Sequence, residues 1–161
     1  MELTEELFVN RIKSMYERSL DEHENSFFDA QLQDKVRFHS ASLAAPVRAT
    51  FRSVVTLSMC NRLESLHGGC AATLIDVLTS VILLGLGKPG MFSYGGVTRS
   101  LDVKYLRPVP EGVEMEIICE LVNMGKRLAM LRGEIRRVDN GDLCVVGMHD
   151  KANTDPVVQR L

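Results

Sequence analysis

The sequence predicts an α+β domain in which one long apolar helix lies on an antiparallel sheet. Two observations carry this. A run from about Gly69 to Leu84 is apolar almost throughout, and Gly85, Gly87 and Pro89-Gly90 end it. A series of runs with period two then follows, separated by turn signals, as antiparallel strands with one face buried require. The chain has 161 residues, the length of one domain. A chain of that size buries about 70% of its unfolded surface, so its core needs no metal or disulfide.

Leu3, Leu7, Phe8, Ile12, Met15, Tyr16 and Leu20 recur at helical spacing. Thr4 can cap, acids crowd the first turn, and Arg11, Lys13 and Arg18 come later, which suits the helix dipole. This predicts an amphipathic helix over about 4–19, then an acidic loop from Asp21 to Ser26 and a short helix near Phe27–Gln33. Residues 1–35 are expected to form a helical extension packed on a main domain of residues 36–161.

From Val36 the period becomes two. Val36 and Phe38 alternate with Arg37 and His39, and Pro46 breaks the run. Val47, Ala49, Phe51, Ser53, Val55 and Leu57 share one side of the next predicted strand. Asn61 to Leu66 reads as a loop before the apolar helix. Beyond that helix, Val97, Leu101, Val103 and Tyr105 form one alternating set, and Pro108 and Pro110-Glu111-Gly112 make a turn. Val113 to Leu121 alternates with glutamates. Ala129, Leu131, Gly133 and Ile135 alternate with polar residues, Asn140-Gly141 signals a hairpin, and Leu143 to His149 forms the last strand.

Composition excludes several classes. Apolar residues make up 45% and charged residues 25%, which is neither disordered nor low in complexity. Lys and Arg total 19 against 21 acids, so no basic excess marks a nucleic-acid partner. Cys60, Cys70, Cys119 and Cys144 form no Cys-x-x-Cys pair and sit among apolar neighbours, where a free cysteine packs as a small hydrophobe. Glu2, Glu5 and Glu6 are unlike a secretory or mitochondrial leader, so an intracellular address is expected, cytoplasmic rather than mitochondrial. Gly69 to Leu86 touches the lower edge of membrane-spanning length. It contains Thr73, Asp76, Thr79 and Ser80 and lacks aromatic or basic flanks, so a buried core helix is expected and no membrane span.

Two features of that helix bear on chemistry. His67-Gly68-Gly69 opens it, and its free N–H groups and dipole can hold negative charge such as a developing oxyanion. An ordinary glycine turn with a capping His or Asn fits the same residues. Asp76 is the only charge between His67 and Lys88. A carboxylate in apolar surroundings is costly unless paired, so Asp76 is either functional or part of a narrow polar strip with Thr73, Thr79 and Ser80 that faces water or a subunit. His149 falls late on a strand, where a satisfied structural histidine is the default. No zinc spacing, nucleophile elbow or dinucleotide fingerprint occurs. Arg132, Arg136 and Arg137 read as a solvated strand face.

Leu66-His67-Gly68-Gly69 opening a helix that carries Asp76 resembles the hotdog-fold acyl-CoA thioesterases of the PaaI-like group. The resemblance covers about residues 48–152. Asn61 stands six residues before His67 and Asp76 nine after it. Gly96-Val97-Thr98, Tyr105-Leu106-Arg107-Pro108, Gly125-Lys126-Arg127-Leu128-Ala129 and Gly147-Met148-His149-Asp150-Lys151 match as well. It implies an antiparallel sheet wrapped around a long central helix. It implies that Asp76 is general base or nucleophile and that the Gly68 N–H polarises the thioester carbonyl. Asn61 and His67 would hold the water or thioester, and Thr98, where the group often has Ser, would orient the water.

The site implied lies between subunits of a homodimer or homotetramer, with Asp76 and Thr98 from one and Asn61, His67 and Gly68 from the other. Arg99 and Arg107 lie where the group is often uncharged, and either would suit CoA phosphates, as would Lys126 and Arg127. CoA enters as part of the substrate, with no separate cofactor and no metal. Two alternatives stay open. One is a non-catalytic acyl-CoA-binding hotdog protein. The other is an enoyl-thioester hydratase, whose pattern places Asp about five residues before His, whereas here His precedes Asp.

Overall fold

The computed structural model describes residues 3–16 and 27–156. The elements are α1 (Glu5–Tyr16), α2 (Ala30–Gln33), β1 (Val36–Ser42), β2 (Arg48–Val54), α3 (Gly68–Leu86), β3 (Val97–Tyr105), β4 (Glu114–Met124), β5 (Leu128–Arg137) and β6 (Leu143–Ala152). The strands form one antiparallel sheet in the order β1-β2-β4-β5-β6-β3. The expected architecture, an antiparallel sheet around a long helix, is therefore present. Residues 17–19 of the expected first helix and the acidic loop from Asp21 to Ser26 lie outside the described residues.

Alternation in the sequence becomes burial in the sheet. Ala49 and Phe51 of β2, Met115, Ile117 and Cys119 of β4, and Leu131 and Ile135 of β5 face inward and are buried. They meet Leu74, Ile75, Leu78 and Ile82 of α3. Fully burying each of the larger of these side chains (Phe, Met, Ile and Leu) contributes about 1.5–3 kcal/mol, which fixes both the register and the helix on the sheet. By length and hydropathy α3 would span a bilayer, yet its sheet-facing side belongs to this core. The opposite faces of the strands carry charge pairs, including Arg52 with Glu116 at 3.0 Å and Arg136 with Glu134 at 2.8 Å.

Two glycines seat the middle of α3. Gly133 of β5 and Gly147 of β6 are register partners. A Cβ on Gly133 would come within 2.8 Å of Ile75, and one on Gly147 within 3.1 Å. Their absent side chains let the turn that bears Ile75 and Asp76 approach β6 closely. At the far end of α3, Phe8 and Ile12 of α1 are fully buried and close over Gly85.

Two expectations need correction. The strand drawn from Val47 to Leu57 ends at Val54, and Leu57 lies on a 3-10 turn with 65% exposure. Val55 is still buried, because its backbone pairs with Gly112 and Val113 of the turn before β4. The alternating set read on β3 does not share one degree of burial. Leu101 and Val103 are half-buried, but Val97 and Tyr105 are 52% and 55% exposed. β3 is an edge strand that pairs on one side only, with β6, so its ends lack cover.

Candidate active site

Asp76 lies in the third turn of α3 with its side chain 40% exposed. The carboxylate is thus not sunk in the apolar core, and it opens on a cavity of about 460 Å³. Thr73, Val77, Ser80, Val81 and Leu84 of α3 line this cavity with Met15, Tyr16 and Phe28 of the amino-terminal segment. Thr98 Oγ1 on β3 donates to Asp76 Oδ1 at 2.9 Å. His149 Nε2 on β6 is 2.9 Å from the same hydroxyl and 3.3 Å from Asp76 Oδ1. On the other side of the ring, Nδ1 is 2.7 Å from Thr79 Oγ1. Asp76 Oδ2 has no hydrogen-bond partner among the described residues.

The proton count follows from these contacts. For Thr98 to donate to Asp76, a neutral His149 must carry its proton on Nε2 and accept at Nδ1, and Thr79 then turns its single hydroxyl proton from the Ile75 carbonyl, 2.7 Å away, to that nitrogen. Burial pushes the His149 pKa down to about 4, opposed by the nearby Asp76 carboxylate, so the ring is neutral at pH 7. One carboxylate oxygen is therefore held and the other is presented to the cavity.

This depression has a stability consequence. The unfolded chain takes up the His149 proton near pH 6.5, whereas the native ring refuses it down to about pH 4. Its stabilising effect is thus complete above pH 6.5 and is lost as pH falls toward 4, by up to about 3 kcal/mol. Thermal unfolding of wild type and His149→Gln across that range tests this. The wild-type midpoint falls more steeply, and parallel curves would show that His149 titrates normally.

The polar strip on α3 has a partner. Ser80 Oγ donates to the Asp76 carbonyl at 2.7 Å and accepts from Lys151 Nζ at 2.6 Å. Lys151 is buried, and burial lowers its pKa while Asp76 opposes the shift. His149 and Lys151 stand two apart on β6 and so face the same turn of α3. The sequence presents His149 as a structural residue, Thr79 as one member of the polar strip and Lys151 only as the end of a matched stretch, with no role for any of them beside Asp76. Alternation placed His149 on the inward side with Val145 and Gly147, but nothing local shows that this face meets Asp76.

The other expected residues gather at the start of α3. His67 is the N-cap, and its Nδ1 accepts from the Gly69 N–H at 2.9 Å. The Gly68 N–H has no partner among the described residues, while the Gly68 carbonyl accepts from Tyr105 at 2.9 Å. Asn61 Oδ1 accepts from the Leu63 N–H at 2.8 Å and shapes the loop, which leaves its amide NH₂ available. Asn61, Gly68, Tyr105 and Arg107 line a second cavity of about 350 Å³. His67 opens instead on a neighbouring hollow with Gly69 and Cys70. Gly68 and Asp76 are eight residues apart on one helix, about 12 Å along its axis. One chain thus brings Asp76 and Thr98 together, and Asn61 and Gly68 together, but not the two groups.

The cations expected for phosphates are dispersed. Arg107 is bound to the Leu143 carbonyl at 3.1 Å beside the Gly68 cavity. Arg99 is exposed on β3. Lys126 and Arg127, on the β4–β5 hairpin, line a separate cavity of about 750 Å³.

Residues 63–144 match the model of the thioesterase superfamily. Over 110 residues the chain is 30% identical to mouse acyl-coenzyme A thioesterase 13, covering 67% of this chain and 74% of that one. Among solved structures it is similar to zebra fish thioesterase superfamily member 2, with a TM-score of 0.72 and 24% identity over 94% of this chain and 99% of that one. It is also similar to the E. coli PaaI protein from the phenylacetic acid degradation operon, with a TM-score of 0.73 and 17% identity over 98% and 100%.

Proposed function

The chain belongs to the thioesterase superfamily, in its PaaI-like hotdog branch, and from that premise we propose that it hydrolyses acyl-CoA at sites shared by two subunits. It is a thioesterase. The reaction is acyl-CoA plus water giving the carboxylic acid and CoA-SH. The observation that carries the shared site is the division just described. A held carboxylate with one free oxygen and an unpartnered helix N–H lie about 12 Å apart on the same helix, too far to meet at one thioester.

The edge strand supplies a route to union. Two copies of β3 paired antiparallel about an axis through Leu101 would set Thr98 of one opposite Lys104 of the other. The Asp76–Thr98 end of one subunit then meets the Tyr105–Gly68 end of its neighbour, twice over. In such a site Asp76 Oδ2 takes a proton from water as the water attacks the thioester carbonyl. Negative charge that builds on the carbonyl oxygen falls at the Gly68 N–H, at the positive end of the α3 dipole. Asn61 adds its free amide N–H. His67 keeps the first turn wound by capping Gly69, and CoA leaves as the thiol. Thr98 and His149 fix the carboxylate so that little reorientation is needed at the moment of attack. Lys126 and Arg127, with Arg107, supply positive charge toward the CoA phosphates.

Release of free thiol from a panel running from acetyl- through phenylacetyl- and benzoyl- to palmitoyl-CoA tests this reading. Turnover of at least one member is expected. Binding of the panel with no turnover of any member would contradict it.

A further inference from the structure

The 750 Å³ cavity holds more than the hairpin cations. Lys88, on the turn after α3, lines it together with Lys126 and Arg127. None of the three has an ion-pair or hydrogen-bond partner for its side chain among the described residues. The carboxylate beside them is Asp155, whose Oδ2 is engaged by the N–H of Ser93 at 2.8 Å and by the Ser93 hydroxyl. The other oxygen of Asp155, Oδ1, is buried without a hydrogen-bond partner, so three cations from two separate loops face one cavity against a single carboxylate.

What holds those loops together is Asn153, just beyond β6. Its Nδ2 donates to the Gly90 carbonyl at 3.0 Å and to the Lys126 carbonyl at 3.1 Å. Its Oδ1 accepts from the Phe92 N–H at 3.0 Å and from the Asp155 N–H at 3.1 Å. Its own N–H donates to the Arg127 carbonyl at 2.9 Å. An asparagine side chain has two donors and two acceptor positions, and all four are used. All three cations are exposed, and the clamp fixes the two backbones that carry them before any ligand arrives.

We propose that Asn153 is a positioning residue that holds Lys88, Lys126 and Arg127 as one preformed site for the phosphates of the CoA nucleotide, with Lys88 as an additional phosphate contact. The inference rests on the acyl-CoA reading above. It adds that selection of CoA esters over shorter pantetheine thioesters is built into this clamp. Pantetheine lacks the nucleotide phosphates, so the three cations offer it nothing.

The test compares kcat and KM for acyl-CoA and for the same acyl-pantetheine in wild type, Lys88→Ala and Asn153→Ala. Binding of free CoA is measured calorimetrically alongside. Lys88→Ala is expected to raise KM for acyl-CoA and Kd for CoA about tenfold, and so to lower the acyl-CoA to acyl-pantetheine ratio of kcat/KM by a similar factor. Asn153→Ala is expected to lower that ratio at least as far, because it loosens three cations at once. The Lys88 variant removes no hydrogen bond within the fold, so it remains informative if Asn153→Ala does not fold. An unchanged ratio in Lys88→Ala, in a wild type that turns over acyl-CoA, would overturn the inference and leave the thioesterase reading standing. A wild type that binds CoA with Lys88-dependent affinity yet turns over neither ester would overturn the catalytic reading alone.

Discussion

Asp76→Asn lowers kcat on the best acyl-CoA by at least about a hundredfold, the usual loss when a general base is removed. The asparagine keeps the shape of the side chain and one oxygen to accept from Thr98, so the contact at 2.9 Å survives. What is lost is the free oxygen able to take a proton from water. The side chain is 40% exposed, so its own neutralisation costs little, but buried Lys151 loses the negative charge that opposes its desolvation, and a modest fall of the unfolding midpoint is expected beside the much larger loss of turnover. Solvent-labelled oxygen separates the two chemistries open to a carboxylate. A single turnover that places the label only in the product acid supports attack by water. Label found in the Asp76 side chain would show that it attacks the thioester itself.

Gly68→Pro is expected to cost about 10²–10³ in kcat by deleting the oxyanion donor. Proline is well tolerated at the first position of a helix, where its missing N–H satisfies no intrahelical bond. His67 before it has φ −64° and ψ 134°, the extended backbone that a following proline requires. The steric demand is slight. A Cβ at this position would stand 3.3 Å from the ring of Tyr105, which is 55% exposed and free to shift. Folding stability should therefore hold while catalysis collapses. Full activity in the variant would place the oxyanion elsewhere.

Different parts of this account were legible in the sequence to different depths. The central helix was plain because mostly apolar residues, with one charge among them, run between glycine boundaries. The β4 and β5 strands were plain because glutamates and arginines alternate with Met115, Ile117, Leu131 and Ile135. Asp76 stood out as a lone charge in that helix. The role of β3 as an edge was hidden, since an edge strand and an inner strand share the same alternation and only the final sheet order separates them. His149 and Lys151 were hidden for a related reason. Alternation says that a residue faces inward, but the glycine pair that lets α3 settle against β6 decides what it meets. The Asn153 clamp ties Lys126, 27 positions away, to Gly90 and Phe92, 63 and 61 positions away, and leaves no local signal.

The central claim is that each site takes Asp76 from one subunit and Gly68 from another, and subunit mixing tests it most directly. Asp76→Asn and Gly68→Pro chains are co-expressed with different tags, and the mixed population is assayed beside each variant alone. In a mixed dimer one shared site carries both lesions and the other carries neither. Random pairing then restores about a quarter of wild-type activity from two nearly inactive parents. Activity that stays at the mean of the two parents, with mixed dimers demonstrated through the tags, would show that both residues act within one chain and would contradict the account.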